Sequence, residues 1–159
     1  MELTQMMLQS GFRYFIDTEF TDFLNCQLIS LAIVGEDGRE FYGECADFDR
    51  LLCSEFVRAA VLPQLGQIPG RSMPAAQLRT ELQAWLLAVP ARPQPILCFD
   101  YQGDIDLMFD LLDRDVPGGW MSEHIGDRLD VGKLEAYYRE HGGRHHALHD
   151  ARAHAYAFR

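Results

Sequence analysis

Residues 12–19 read Phe-Arg-Tyr-Phe-Ile-Asp-Thr-Glu. The run is rich in aromatic and β-favouring side chains, so it reads as a strand, yet it closes on two carboxylates. Alternation along a strand puts Asp17 and Glu19 on the same face, at a separation suited to flanking a divalent cation. Taken alone, an Asp-x-Glu at a strand end is most often a solvated face. Here Tyr14-Phe15-Ile16 leads into the pair and Phe20 follows it, so the acids interrupt a stretch that otherwise looks buried. Buried carboxylates ask for a cation.

Outward from this strand, Cys26 to Val34 (CQLISLAIV) is a second apolar run. Glu36-Asp37-Gly38 is a turn signal, and Arg39 to Cys45 (REFYGEC) completes an antiparallel three-strand meander. From Asp47 the pattern becomes helical. Leu78, Leu82, Trp85, Leu86 and Val89 recur at helical spacing behind Pro74, a residue that a helix start tolerates. Pro93 and Pro95 introduce Ile96 to Phe99, a run too short for a helix, and a helical stripe of Ile105, Met108, Phe109 and Leu112 follows. After the Pro117-Gly118-Gly119 break, Arg128 to Val131 reads as a further short strand, and residues 132–141 and 149–159 read as helices. The order β-β-β-α-α-β-α-β-α-α predicts an α/β fold: a mixed β-sheet, meander plus parallel strands, flanked by α-helices.

The 159 residues, 48% hydrophobic, supply enough apolar material for one domain spanning 1–159, with residues 1–11 as a poorly ordered or accessory N-terminus. Lys and Arg total 14 against 24 Asp and Glu, and the net charge of −10 repels phosphate backbones at long range. Any nucleic-acid contact must therefore be local. Cys26, Cys45, Cys53 and Cys98 lie far apart and form no Cys-x-x-Cys pair, so they read as reduced thiols rather than as a zinc ribbon or a disulfide framework. Met1 to Ser10 has no basic start, and no apolar run reaches membrane-spanning length, so the expected location is cytoplasmic with no membrane association.

A second concentration of chemistry lies near the C-terminus, where Arg144-His-His-Ala-Leu-His-Asp-Ala151 follows Gly142-Gly143. It places histidines and an aspartate at a helix start that is alanine-rich and able to pack closely. Three readings stay open on this segment alone. It is a solvated helix start, a site for an acid-base histidine, or a zinc site built from His145, His146, His149 or His154.

Together the two segments resemble a known family. Phe15-Ile-Asp-Thr-Glu-Phe20 is similar to the first motif of the DEDD 3′-5′ exonucleases, and His145-His-Ala-Leu-His-Asp-Ala151 is similar to the third motif of the DEDDh subclass. In that motif a histidine stands five residues before the aspartate with an alanine between, positions met by His145, Ala147 and Asp150; His146 and His149 are then neighbours, not catalysts. The family's second motif supplies an aspartate at a helix start after a central strand. This corresponds to Phe99-Asp-Tyr-Gln-Gly-Asp-Ile-Asp106, with Asp104 the choice and Asp100 and Asp106 its competitors. The chain lacks the His-Asn pair that often precedes this aspartate and resembles instead the small bacterial 3′-5′ exoribonucleases.

The resemblance implies a ribonuclease-H-like sheet and two divalent cations, Mg²⁺ or Mn²⁺. Asp17 would bridge both, Glu19 and Asp150 would hold one, Asp104 would reach the other through water, and His145 would act as general base. The implied substrates are single-stranded RNA or DNA 3′ ends, cut to nucleoside 5′-monophosphates, and the acidic surface favours RNA or short oligonucleotides over long duplex. Phe20 and Trp120 are candidates to stack on the terminal base, with core packing as the other reading of Phe20. Similar small exonucleases often form homodimers. Two other functions remain: a non-catalytic interaction domain of the same fold, and a histidine-based zinc hydrolase or metal-binding protein.

Overall fold

The structure, a computed structural model, describes residues 11–159. The accessory reading of residues 1–11 therefore lies, Gly11 excepted, outside the described residues. Strands β1 (Phe12–Phe20), β2 (Leu28–Gly35) and β3 (Glu40–Cys45) form the expected antiparallel meander. Helix α1 (Glu55–Ala60) follows, then a two-residue strand β4 (Ser72–Met73), helix α2 (Ala75–Ala88), β5 (Pro95–Phe99), α3 (Gln102–Leu111), β6 (Met121–His124), α4 (Val131–His141) and α5 (Ala147–Ala157). The sheet order is β4-β3-β2-β1-β5-β6, with β5 parallel to β1 and β6 parallel to β5. The predicted α/β fold, a mixed sheet flanked by helices, is what the chain forms.

One expected strand moves. Arg128 to Val131 is not a sheet strand: Gly126–Arg128 is a 3-10 turn, Leu129 makes only an isolated antiparallel bridge to Phe158, and Val131 opens α4. The strand beside β5 is instead β6, whose Met-Ser-Glu-His sequence alternates half-buried and exposed residues and carries no apolar run. A polar edge strand of this kind is invisible to a hydrophobic-period search. The short β4 also falls outside the expected order.

Alternation along the strands divides the sheet into two faces. Tyr14, Ile16, Leu31, Ile33, Phe41, Leu97 and Phe99 bury one face against Leu78, Leu82 and Leu86 of α2 and Ile105 and Met108 of α3. The opposite face carries Phe15, Ala32, Val34, Ile96 and Cys98, covered by Ala147, Leu148, Ala151 and Ala157 of α5. Small residues on both sides, Ala32 against Ala147 and Ala151, let α5 approach the sheet closely. That close approach decides where Asp150 falls. The thiols behave as read: all four cysteines are free, and only Cys26 is exposed.

Candidate active site

Asp17 and Glu19 lie on the α5 face of β1, paired across to Ala32 and Ser30 of β2. A register shift between Glu19 and Phe20 ends the regular ladder beside them, a common device for re-aiming side chains next to a functional site. Asp150, in the first turn of α5 and 8% exposed, comes down over them. One carboxylate oxygen from each of Asp17, Glu19 and Asp150 lies within 4.8 Å of the others. Two carboxylates at that distance repel by about 3 kcal/mol at an effective dielectric of about 20, or about two pKa units per pair. Burial and mutual repulsion accordingly push Asp17 far above the usual carboxylate range and Glu19 up to about 9. Burial also raises Asp150, opposed by the hydrogen bond from Tyr138 and by the charges of His154 and His145.

Asp104 reaches the same place from the other side of the sheet. It stands in the first turn of α3, 3% exposed, and its Oδ1 accepts from Thr18 Oγ1 at 2.6 Å. Burial raises it to about 7, against the Thr18 hydrogen bond, and its charge in turn raises Asp17. Its competitors are placed differently. Asp100 is exposed at the end of β5 and acts on Asp17 and Asp104 only through its charge. Asp106 is exposed and accepts from Gln102 Nε2 at 3.2 Å. Acids from three separate segments thus lie close to one another: Asp17, Glu19 and Asp150 in one cluster, with Asp104 outside it and acting on Asp17 and Glu19 through its charge.

His145 precedes α5 at φ 70, a left-handed conformation rare for a residue with a Cβ. Its N–H donates to the Asp150 carboxylate at 3.1 Å, and its half-buried ring lies edge-on against Phe56 of α1, centroids 4.8 Å apart. The other histidines do not build a zinc site. His146 is buried with neither ring nitrogen partnered, its ring stacked on Tyr42, and burial lowers it to about 4. His149 Nε2 pairs with Gln67 at 3.2 Å. His154, one turn beyond Asp150, is buried, which lowers its pKa against the raising fields of Asp100 and Asp150.

Of the two aromatic candidates, the structure brings only Phe20 near the acids. Phe20 stacks on Tyr101 and meets Phe23 edge-on, in a hollow of about 240 Å³ that also includes Gly103 and Asp106. Trp120 packs edge-on against Tyr14 on the opposite face of the sheet, half-buried among the residues around α2 and α3. Sequence reasoning missed Tyr138, whose Oη donates to Asp150 Oδ1 at 2.6 Å, along with Thr18, Phe56 and Tyr101. Thr18 sits inside the quoted motif, but its parity points it away from Asp17, and nothing in the sequence tells that Asp104 waits on that side.

The donor set is all oxygen, and Asp17 Oδ2 is buried without a hydrogen-bond partner, an acceptor left for a hard cation. The residues present fit a divalent metal.

No family model matches the chain. Over 54 residues it is 48% identical to 3′-5′ exoribonucleases of two Mycobacterium tuberculosis strains, a match covering 33% of this chain and 32% of theirs. The chain thus matches about a third of the length of these curated relatives. Among solved structures it is similar to the zinc ion bound form of an Escherichia coli exonuclease I complex with single-stranded DNA, with a TM-score of 0.58 and 17% identity. That likeness covers 92% of this chain and 38% of the other. It is also similar to an apo exonuclease I (TM-score 0.57, 14% identity, 92% and 40% covered) and to cell-death related nuclease 4 (0.52, 17%, 90% and 60%). At these identities the solved structures establish the fold, and the local sequence match is to exoribonucleases. The chain has a ribonuclease-H-like α/β fold and resembles the DEDD-type 3′-5′ exonucleases.

Proposed function

We propose that this protein is a metal-dependent 3′-5′ exonuclease acting on single-stranded nucleic acid, RNA or short oligonucleotides in preference to long duplex, and releasing nucleoside 5′-monophosphates. The observation that carries the reading is the orphaned Asp17 Oδ2 within three converging carboxylates on a resembling motif pair. Asp17, Glu19 and Asp150 would hold one Mg²⁺ or Mn²⁺, and Asp17 with Asp104 a second. When bound, the cations neutralise the acids and act as Lewis acids on the phosphodiester oxygens.

His145 serves as the general base: an imidazole can take a proton from attacking water, and the His145 backbone is tied to Asp150 beside the acids. Tyr138 and Thr18 fix the carboxylates of Asp150 and Asp104, so the acids are held before substrate arrives. Phe20, with Phe23 and Tyr101, offers rings to the terminal base, at about 1–3 kcal/mol per stacked base. Free cysteines agree with a cytoplasmic setting, and among the described residues no helix is long and apolar enough to cross a membrane. A homodimer is part of the same proposal.

Product analysis on 5′- and 3′-labelled RNA and DNA oligonucleotides, with Mg²⁺, Mn²⁺ or EDTA, tests it. Stepwise 3′ shortening to 5′-monophosphates that stops in EDTA is expected. Internal cuts, or activity with Zn²⁺ alone, would sink it.

A further inference from the structure

The backbone at His145 is unusual for a residue with a Cβ: it stands third in a turn that His146 N–H closes onto the Gly143 carbonyl at 3.0 Å, the position at which such turns take positive φ. Gly142 and Gly143, at φ 67 and 81, leave the preceding chain permissive, while His145 itself holds φ 70. Its ring meets only Phe56 edge-on among the aromatic contacts described. The turn and the His145 N–H bond to Asp150 are local, and contacts from outside the segment hold it on both sides. On the N-terminal side the carbonyl of Arg144 accepts from Gln64 Nε2 at 2.6 Å, and the Arg144 guanidinium lies over Tyr138 and pairs with Glu135.

On the C-terminal side the hold is different. His146 is 2% exposed, both its ring nitrogens lack partners, and its ring lies face-on against Tyr42, centroids 4.9 Å apart and planes at 21°. Stacking, not hydrogen bonding, fixes it. Tyr42 stands in the same cross-strand row as Asp17, with Ala32 between them, so it shares the sheet face of the acids. Its Oη donates to buried Glu44 at 2.5 Å, and Glu44 accepts from Gly66 N–H at 3.1 Å. Gly66 belongs to the same loop as Gln64, so one loop and one strand grip both sides of His145.

We propose that Tyr42 is a positioning residue for the reaction: by stacking on His146 it helps hold His145 in its left-handed conformation beside Asp150. This rests on the reading of His145 as general base. His146 is then a neighbour with a mechanical task, and its imidazole chemistry is irrelevant to it.

The test reads turnover, KM and Mn²⁺ binding on one labelled oligonucleotide. Tyr42→Leu is expected to lower kcat about tenfold or more, as small misplacements of a catalytic group do, with KM and Mn²⁺ affinity within about threefold of the parent. Tyr42→Phe keeps the ring and His146→Phe keeps a stacking partner, so both should stay within about threefold of the parent. Should Tyr42→Leu not fold, His146→Ala truncates the same stack from the other side, with the same expected loss of kcat. On a His145→Ala background, Tyr42→Leu should cost nothing further. An additive loss there, or equal losses in KM and metal affinity, overturns the positioning role alone. Full activity of His145→Ala overturns the general-base reading and this inference with it.

Discussion

Without a cation, burial and the charges of Asp104, Asp150 and Glu19 all oppose ionisation of Asp17 and push it well above the usual carboxylate range. Asp17→Asn removes that conflict while losing a ligand. In EDTA at pH 8 the variant is expected to melt about 4 °C or more above the parent, with cleavage abolished, and calorimetry with a gel assay checks both. His145→Ala should lose most turnover yet bind Mn²⁺ normally by isothermal titration, since it handles a proton and offers no ligand. Tyr138→Phe is the subtler case. It deletes one 2.6 Å hydrogen bond to Asp150 and should weaken Mn²⁺ binding about tenfold, as loss of a partner that orients a ligand commonly does. Unchanged affinity in that variant would mean that Asp150 needs no orientation.

At the scale of elements, α5 delivers Asp150 because alanines let it lie close to the sheet. Ala151 is fully buried against Ala32 and Val34, so Ala151→Leu must push the helix outward. A cost of about 1–3 kcal/mol is expected from overpacking, seen as a lower melting temperature, together with lost Mn²⁺ affinity although no ligand is touched. Gly143→Ala combines positive φ with a Cβ that would meet His149 Cβ at 2.7 Å, and should misplace the His145 segment in the same way.

What the sequence disclosed follows the same division. β1, β2, β3, β5 and the long helices were legible because burial on one or both faces writes a period into the chain. β6 was not, since Met121 to His124 pairs at an edge through backbone alone. Asp17, Glu19 and Asp150 were legible because their spacing sits inside two short segments. Thr18 to Asp104, Tyr138 to Asp150 and Tyr42 to His146 bridge 86, 12 and over 100 positions with no pattern to mark them. Trp120 follows a glycine pair, and nothing in that pattern marks its contact with Tyr14.

For the whole molecule, two groups of buried titratable side chains set opposite limits on pH. Glu19, raised from 4.5 to about 9, and Asp104, raised from 3.8 to about 7, favour folding while protonated. Their contribution is full below the unfolded values and is lost as pH rises through the folded ones. His146, lowered from 6.5 to about 4, works the other way: its contribution is full above pH 6.5 and is lost as pH falls toward 4. Above pH 6.5 only the carboxyl loss remains. In EDTA the melting temperature should therefore fall by roughly 5 °C or more between pH 6.5 and 9, and millimolar Mg²⁺ should flatten the decline by binding the ionised, folded form. Thermal melts across that range, with and without Mg²⁺, check the sign. A metal-free protein that grows steadily more stable toward pH 9 would contradict the account of the acid cluster.

The two ends of the sheet bear on how such a protein stays dispersed in a crowded cell. β4, at one margin, is only two residues long, and β6, at the other, is four residues with Ser122 and His124 exposed. A growing fibril or a stray strand needs a long, flat row of unpaired amides to copy, and among the described residues neither terminal strand is long enough to supply one. Copies of the chain that do meet are therefore directed toward their helical and loop surfaces, and mutations that lengthen or grease either margin should show first as precipitation during expression, before any loss of catalysis.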